Sequence, residues 1–184
     1  MQFWSYGPFN VGLSNENELW RREFWQEVSE YNDDAGGMLR NAIGCYVFIM
    51  SRAGKLRPWY VGKTNAVAGF QGEIFTEHKL KHYRGVISEA PQGWKPQMLL
   101  FPLITGGGML SKAYKTDKPL IEWMERTLIG MALAKNPLLY NSKDTTLLRN
   151  CIVDGVFGDF KAHQRYDGAI AARKALTDHN DWDV

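Results

Sequence analysis

Tyr46 and Tyr60 stand on two apolar segments, GCYVFIM (44–50) and PWYVGKT (58–64), and Glu125 lies far along the chain within KPLIEWMERTLIGMALAK (118–135). Between them runs the cationic stretch KLKHYR (79–84). Phosphodiester hydrolysis uses these residue types: a phenolic oxygen to take a proton from water, positive charge for a phosphorane-like transition state, and a carboxylate for a divalent metal. Glu125 carries the sharpest signal. It lies four residues after Ile121 and three before Leu128, so helical geometry puts its carboxylate on the apolar stripe, while Glu122 reads as exposed. A carboxylate placed there is costly unless it is paired, hydrogen-bonded or bound to a cation. A structural reading competes: Glu125 takes a lysine or arginine from the opposing helix, and the two tyrosines are core aromatics, since tyrosine suits strands.

The elements that must position these groups follow from periodicity and breakers. Asn15 to Glu18 offer an N-cap and acidic first turn for an amphipathic helix with Leu19, Trp20, Phe24, Val28 and Tyr31 on one face, ended by Asn32-Asp33-Asp34 and Gly36-Gly37. Gly44–Met50 and Pro58–Lys63 predict an antiparallel hairpin, joined by a longer-than-minimal turn over Ser51 to Arg57. Phe70, Ile74, Leu80, Tyr83 and Ile87 approximate a helical stripe that Gly72 weakens at its start. Gln97–Ile104 predicts a buried strand, and Pro102 argues that one side of it is an edge. Gly106-Gly107-Gly108 lack the Lys-Ser/Thr sequel of a phosphate-binding loop and read as a flexible linker. The most periodic segment is 118–135, with Asp117 as N-cap, Pro119 in the first turn, and a stripe of Leu120, Ile121, Met124, Leu128, Ile129, Met131 and Ala132. A last helix is expected over Ala169 to Leu176.

In this order of elements, with Gly44-Cys45-Tyr46 and Tyr60-Val61-Gly62 on the two hairpin strands, the chain resembles the GIY-YIG nuclease domain family over Ala42 to Asn141. Lys63 and Thr64 extend the likeness, and GCYVF, PWYVGK, KLxxY and ExxLI resemble a bacterial-type subgroup. The resemblance implies an α/β chain of the α+β type. Its small three-stranded antiparallel sheet is flanked by helices, with an N-terminal helical extension over 1–41 and a C-terminal one over 142–184. It implies a metal-dependent endonuclease acting on DNA, in which Tyr46 or Tyr60 activates water and Glu125 holds one Mg²⁺ or Mn²⁺. Lys79 takes the position of the family's helical arginine and Tyr83 that of the aromatic four residues later. Gly44, Gly62 and Asn141 are supporting positions, and His82 is a candidate for proton transfer. Arginine grips two phosphate oxygens with a planar fork where lysine is a point charge, so Lys63, Lys81 and Arg84 are further candidates for the phosphate contact.

Composition bounds the alternatives. With 184 residues, 45% of them hydrophobic, one domain with a real core is expected. A formal charge of +2 from 22 basic and 20 acidic residues limits any nucleic-acid contact to a local one. Cys45 and Cys151 each sit among apolar residues without metal-ligand spacing and read as reduced core thiols. No basic leader and no apolar run of roughly 18 residues is seen, so a soluble cytoplasmic protein is expected. Two other functions remain open: a catalytically degenerate module of the same fold that binds nucleic acid without cleavage, and a protein-interaction component docking through Trp20, Phe24 and Trp25.

Overall fold

A computed structural model of the chain describes residues 1–13, 19–30, 36–141 and 167–176. The chain divides into two compact units, Met1–Asn141 and Ser142–Val184. Of the second, one helix is described, Asp167–Leu176, starting two residues earlier than the sequence suggests. The expected cap at Asn15–Glu18, Tyr31, the Asn32–Asp34 stop and Cys151 lie outside the described residues.

The first unit is α+β, as expected, but its antiparallel sheet has five strands instead of three. β1 (Gln2–Phe3) and β2 (Tyr6–Asn10) come from a segment that gave no strand signal. They follow one another along one edge of β5 (Lys95–Ile104). Its other edge pairs with β3 (Gly44–Arg52), which pairs in turn with β4 (Lys55–Thr64). β5 is therefore paired on both sides, against the expectation from Pro102. The proline is tolerated because its missing donor falls at the break between β1 and β2. There the Trp4 amide donates to the Pro102 carbonyl at 3.3 Å, while the next amide, Leu103, turns to Ile43 on the β3 side.

The β3–β4 hairpin is longer and its turn tighter than expected. Pairing continues to Arg52 opposite Lys55, leaving Ala53 and Gly54 as the two turn residues, both with positive φ (47° and 77°), as a type I′ turn requires. The Gly106–Gly108 run forms a turn in which Gly108 N donates to Thr105 O and Thr105 N to Met109 O.

Side chains alternate across β3 and so divide the core. Tyr46, Phe48 and Met50 face one layer, with α1 (Leu19–Glu30), α2 (Gly36–Leu39), α3 (Gly69–Glu73) and α4 (Glu77–Glu89). Cys45 faces the other, with Ile121 on α5 (Lys118–Lys135). The expected single helix after Gly69 is thus two, interrupted before Glu77, and its apolar stripe survives the break: Phe70, Ile74, Leu80 and Tyr83 are all buried. Trp20, Phe24 and Trp25 are buried as well, with Phe24 and both tryptophans meeting Phe75 edge to face, so the aromatic face of α1 belongs to the chain's own core. On α5 the stripe is narrower than the sequence suggests. Ile121, Ile129 and Ala132 are buried, whereas Met131 is exposed. Asp117 does sit before the helix but caps nothing, its carboxylate accepting instead from the Ser111 hydroxyl. Among the described residues no helix is long and apolar enough to cross a membrane.

Candidate active site

β4 is the strand that gathers the candidate residues, because it is an edge of the sheet and presents alternate side chains to both core layers. Register places Gly62 opposite Tyr46 and Tyr60 opposite Phe48, so Tyr60 and Gly62 belong to the α4 layer. Lys63 stands opposite Cys45 and belongs to the α5 layer. At the end of β4 the two layers meet in an open cleft of about 270 Å³ lined by Lys63, Thr64, Asn65, Ala66, Glu73, Lys79 and Glu125. Lys79 and Glu125, 46 positions apart and on opposite sides of the sheet, thereby face the same space.

Glu125 is largely buried, as its place on the helix demands, and its Oε2 accepts from Lys63 Nζ at 2.8 Å. Glu122 stands farther from the same ammonium, at 3.9 Å, and is shared with Lys118. Burial pushes the Lys63 ammonium down, but the hydrogen bond and charge of Glu125, with Glu122 behind, outweigh it and raise its pKa. Glu125 thus does pair with a lysine, as the competing reading has it, but the lysine comes from strand β4 instead of an opposing helix, and it lines the cleft itself. Below this pair, burial first and Glu125 second push the Cys45 thiol well up, against the opposing effect of Lys63. Cys45 is a buried free thiol, as expected.

On the other wall Lys79 Nζ donates to the Tyr60 hydroxyl and lies 3.6 Å from Glu73. Glu73 escaped sequence analysis: it closes the short helix α3 after Gly72, outside any periodic stripe. Tyr60 is held from three sides, with His82 stacked on its ring at 5.6 Å, Tyr83 edge-on at 5.9 Å and Lys79 over it. Burial, then His78, Lys79 and Lys81, hold the His82 imidazole below its ordinary pKa. Lys81 and Arg84 are exposed on α4 and do not line the cleft.

Tyr46 and Tyr83 are fully buried, and neither hydroxyl has a hydrogen bond of normal geometry. Burial, then neighbouring tyrosines and Glu73, raise the Tyr46 pKa; burial and Tyr60 raise that of Tyr83. Of the two tyrosines with a proposed role toward water, Tyr60 is therefore the one whose hydroxyl is hydrogen-bonded to a residue of the cleft, Lys79. A raised phenol pKa means that ionisation favours the unfolded chain. The stability held by these two burials is complete below the ordinary value of 10.0 and declines as pH rises above it, through the raised folded values. Alkaline titration should show loss of near-UV circular dichroism together with the last tyrosinate absorbance. All tyrosines ionising before any loss of tertiary signal would contradict this.

Gly44 and Gly62 are positions of close approach. A Cβ on Gly44 (φ +153°) would lie 2.1 Å from the Phe101 carbonyl oxygen, and one on Gly62 would strike the Tyr46 ring. Asn141 secures the outer edge of β4: its amide exchanges two 2.8 Å hydrogen bonds with the backbone of Val61, as a neighbouring strand would. Asn136 donates to the Pro58 carbonyl at 2.7 Å and Tyr140 N to the Trp59 carbonyl at 2.8 Å, so residues 136–141 cover an edge otherwise open to pairing. Asn141→Ala leaves both Val61 groups without these partners and should destabilise the fold by about 1–3 kcal/mol, read from urea denaturation. A change below about 0.5 kcal/mol would mean that water replaces the amide.

A cation in the cleft would meet oxygen donors, each carboxylate now facing a lysine, Glu125 with Lys63 and Glu73 with Lys79. The cleft offers oxygen ligands, the Glu125 and Glu73 carboxylates with Thr64 and Asn65 nearby, and Mg²⁺ is typically held by one or two carboxylates, waters and substrate phosphate. Among the described residues no three His, Cys, Asp or Glu side chains converge as a metal cage. The chain matches no family model, no curated protein and no solved structure.

Proposed function

We infer that the cleft binds a phosphodiester of DNA and hydrolyses it with one Mg²⁺ or Mn²⁺ on Glu125. One observation carries this reading: a largely buried carboxylate and two lysines from three separate elements, α5, β4 and α4, meet at one open cleft, and one of those lysines donates to a tyrosine hydroxyl. The lysines supply charge for phosphate oxygens, Lys79 from the α4 wall and Lys63 from the α5 wall. The Tyr60 oxygen, with its own proton given up to solvent and its negative charge met by the Lys79 ammonium, would take a proton from attacking water. The water oxygen forms the new P–O bond, the opposite P–O bond breaks, and the departing oxygen takes a proton from solvent. A cation on Glu125 would withdraw charge from the phosphoryl oxygens.

A second reading is favoured by the Lys63–Glu125 pair: an ammonium occupies the carboxylate that a metal needs, as expected of a cleft that binds nucleic acid without cutting it. Supercoiled plasmid incubated with Mg²⁺ or Mn²⁺ separates the two. Nicking that requires the metal supports hydrolysis. Salt-dependent binding without nicking supports the binding module. Appearance of nicking only in Lys79→Arg marks a cleft that has lost turnover with its arginine fork. Neither binding nor cleavage overturns both readings.

A further inference from the structure

Helix α4 carries a second constellation that the cleft does not use. His78 and His82 are one helical turn apart on the same face, and their Nε2 atoms share a hydrogen bond of 3.0 Å, one ring donating to the other, a bond that an ion between them would replace. The rings are nearly perpendicular, at 82°, with centroids 4.4 Å apart. His82 is fixed by its stack on Tyr60 and by the edge of the Tyr140 ring at 5.2 Å, so one member of the pair is held in place before any ligand arrives.

Two imidazole nitrogens bound to one ion lie about 2.0–2.1 Å from it, which sets them roughly 2.9–3.4 Å apart as their angle opens from square to tetrahedral. The observed 3.0 Å falls inside that interval. We propose that His78 and His82 form a two-imidazole site for a borderline divalent transition metal of the zinc, copper or nickel class, with water completing its coordination. Imidazole suits these ions, whereas Mg²⁺ takes oxygen ligands. The flanking Lys79 and Lys81 add selectivity, because an ion held chiefly by charge is repelled there and one held by nitrogen donors is less so. Among the described residues no third His, Cys, Asp or Glu joins the pair, so the ion is held by two protein ligands and exchanges with solvent. An ion there fastens His82 where it stacks on Tyr60, tying α4 to the edge strand. The proposal does not rest on the hydrolysis inferred above.

The test is a titration of the full chain with ZnCl₂ or NiCl₂, and MgCl₂ as control, followed by calorimetry and by the ring nitrogen signals in NMR. The two rings are expected to shift together with Zn²⁺ and to ignore Mg²⁺. His78→Ala and His82→Ala should each weaken Zn²⁺ binding at least about tenfold, since even outer-shell partners of metal ligands are worth that much. His78 is exposed, so its replacement leaves the core intact, and the NMR arm needs no variant at all. Unchanged affinity in both variants, a shift of one ring alone, or a response confined to His163 and His179 would overturn the site.

Discussion

If the cleft hydrolyses DNA as proposed, Glu125→Gln is expected to lower metal-dependent cleavage by roughly 10²–10³-fold, the scale on which a single group acting on developing transition-state charge is felt. Glutamine keeps the shape of the side chain and an oxygen for the Lys63 ammonium now 2.8 Å away, so what it removes is the negative charge. Lys63 retains Glu122 at 3.9 Å and partial access to water, which limits the stability cost to about 1–2 kcal/mol. Activity and stability should therefore separate, with the rate falling by orders of magnitude while the unfolding midpoint moves little. A variant that cleaves at the wild-type rate would reduce Glu125 to the partner of Lys63. If the cleft binds nucleic acid without cutting it, the same substitution has the opposite sign: one negative charge leaves the cleft, and DNA binding should tighten and become more salt-dependent. The two readings of the site thus part on one variant.

The hairpin was legible because both strands are dense in β-branched and aromatic residues, and the buried place of Glu125 because a 3.6-residue period fixes where position 125 points. The turn was misplaced because Ser51-Arg52 and Lys55-Leu56-Arg57, polar apart from the exposed Leu56, carry no apolar alternation where the hairpin leaves the core, although they continue the β3–β4 register. β1 and β2 were illegible for another reason. Two short strands interrupted at Trp4-Ser5, one of them containing Gly7-Pro8 and a register shift between Tyr6 and Phe9, show no alternation to count. Met131 extends the stripe of α5 by sequence, yet the sheet covers only part of the helix and leaves it exposed. The cleft itself was beyond periodicity. Its charged residues come from opposite faces of the sheet and meet only because β4 is an edge, a fact set by strand order. The spacing of Lys63 and Glu125 along the chain says nothing of it.

Gly62→Ala should be among the most destabilising single substitutions in the hairpin, and its cause is packing instead of backbone conformation. An added Cβ would lie 2.3 Å from Tyr46 Cζ and 2.4 Å from its hydroxyl oxygen, well inside any van der Waals contact. The ring has nowhere to retreat: Tyr46 is fully buried, with Tyr60 tilted over it at 6.4 Å and Phe70 edge-on at the same distance. Overpacking of a tight core costs about 1–3 kcal/mol, and a contact this short belongs at the upper end or above it, a large share of the 5–15 kcal/mol that holds a typical domain together. Tyr46→Phe provides the contrast. It removes a buried hydroxyl with no hydrogen bond of normal geometry and should leave stability unchanged or raise it. Yet it keeps Cζ against the new methyl and will not rescue Gly62→Ala. Tyr46→Leu clears the ring altogether, so the double variant Gly62→Ala/Tyr46→Leu should be less destabilised than the sum of its parts, a coupling that urea denaturation of the four proteins measures. Strict additivity would mean that the tyrosine ring does not lie across the glycine, and the reason for a glycine in Tyr60-Val61-Gly62 would have to be sought outside the core.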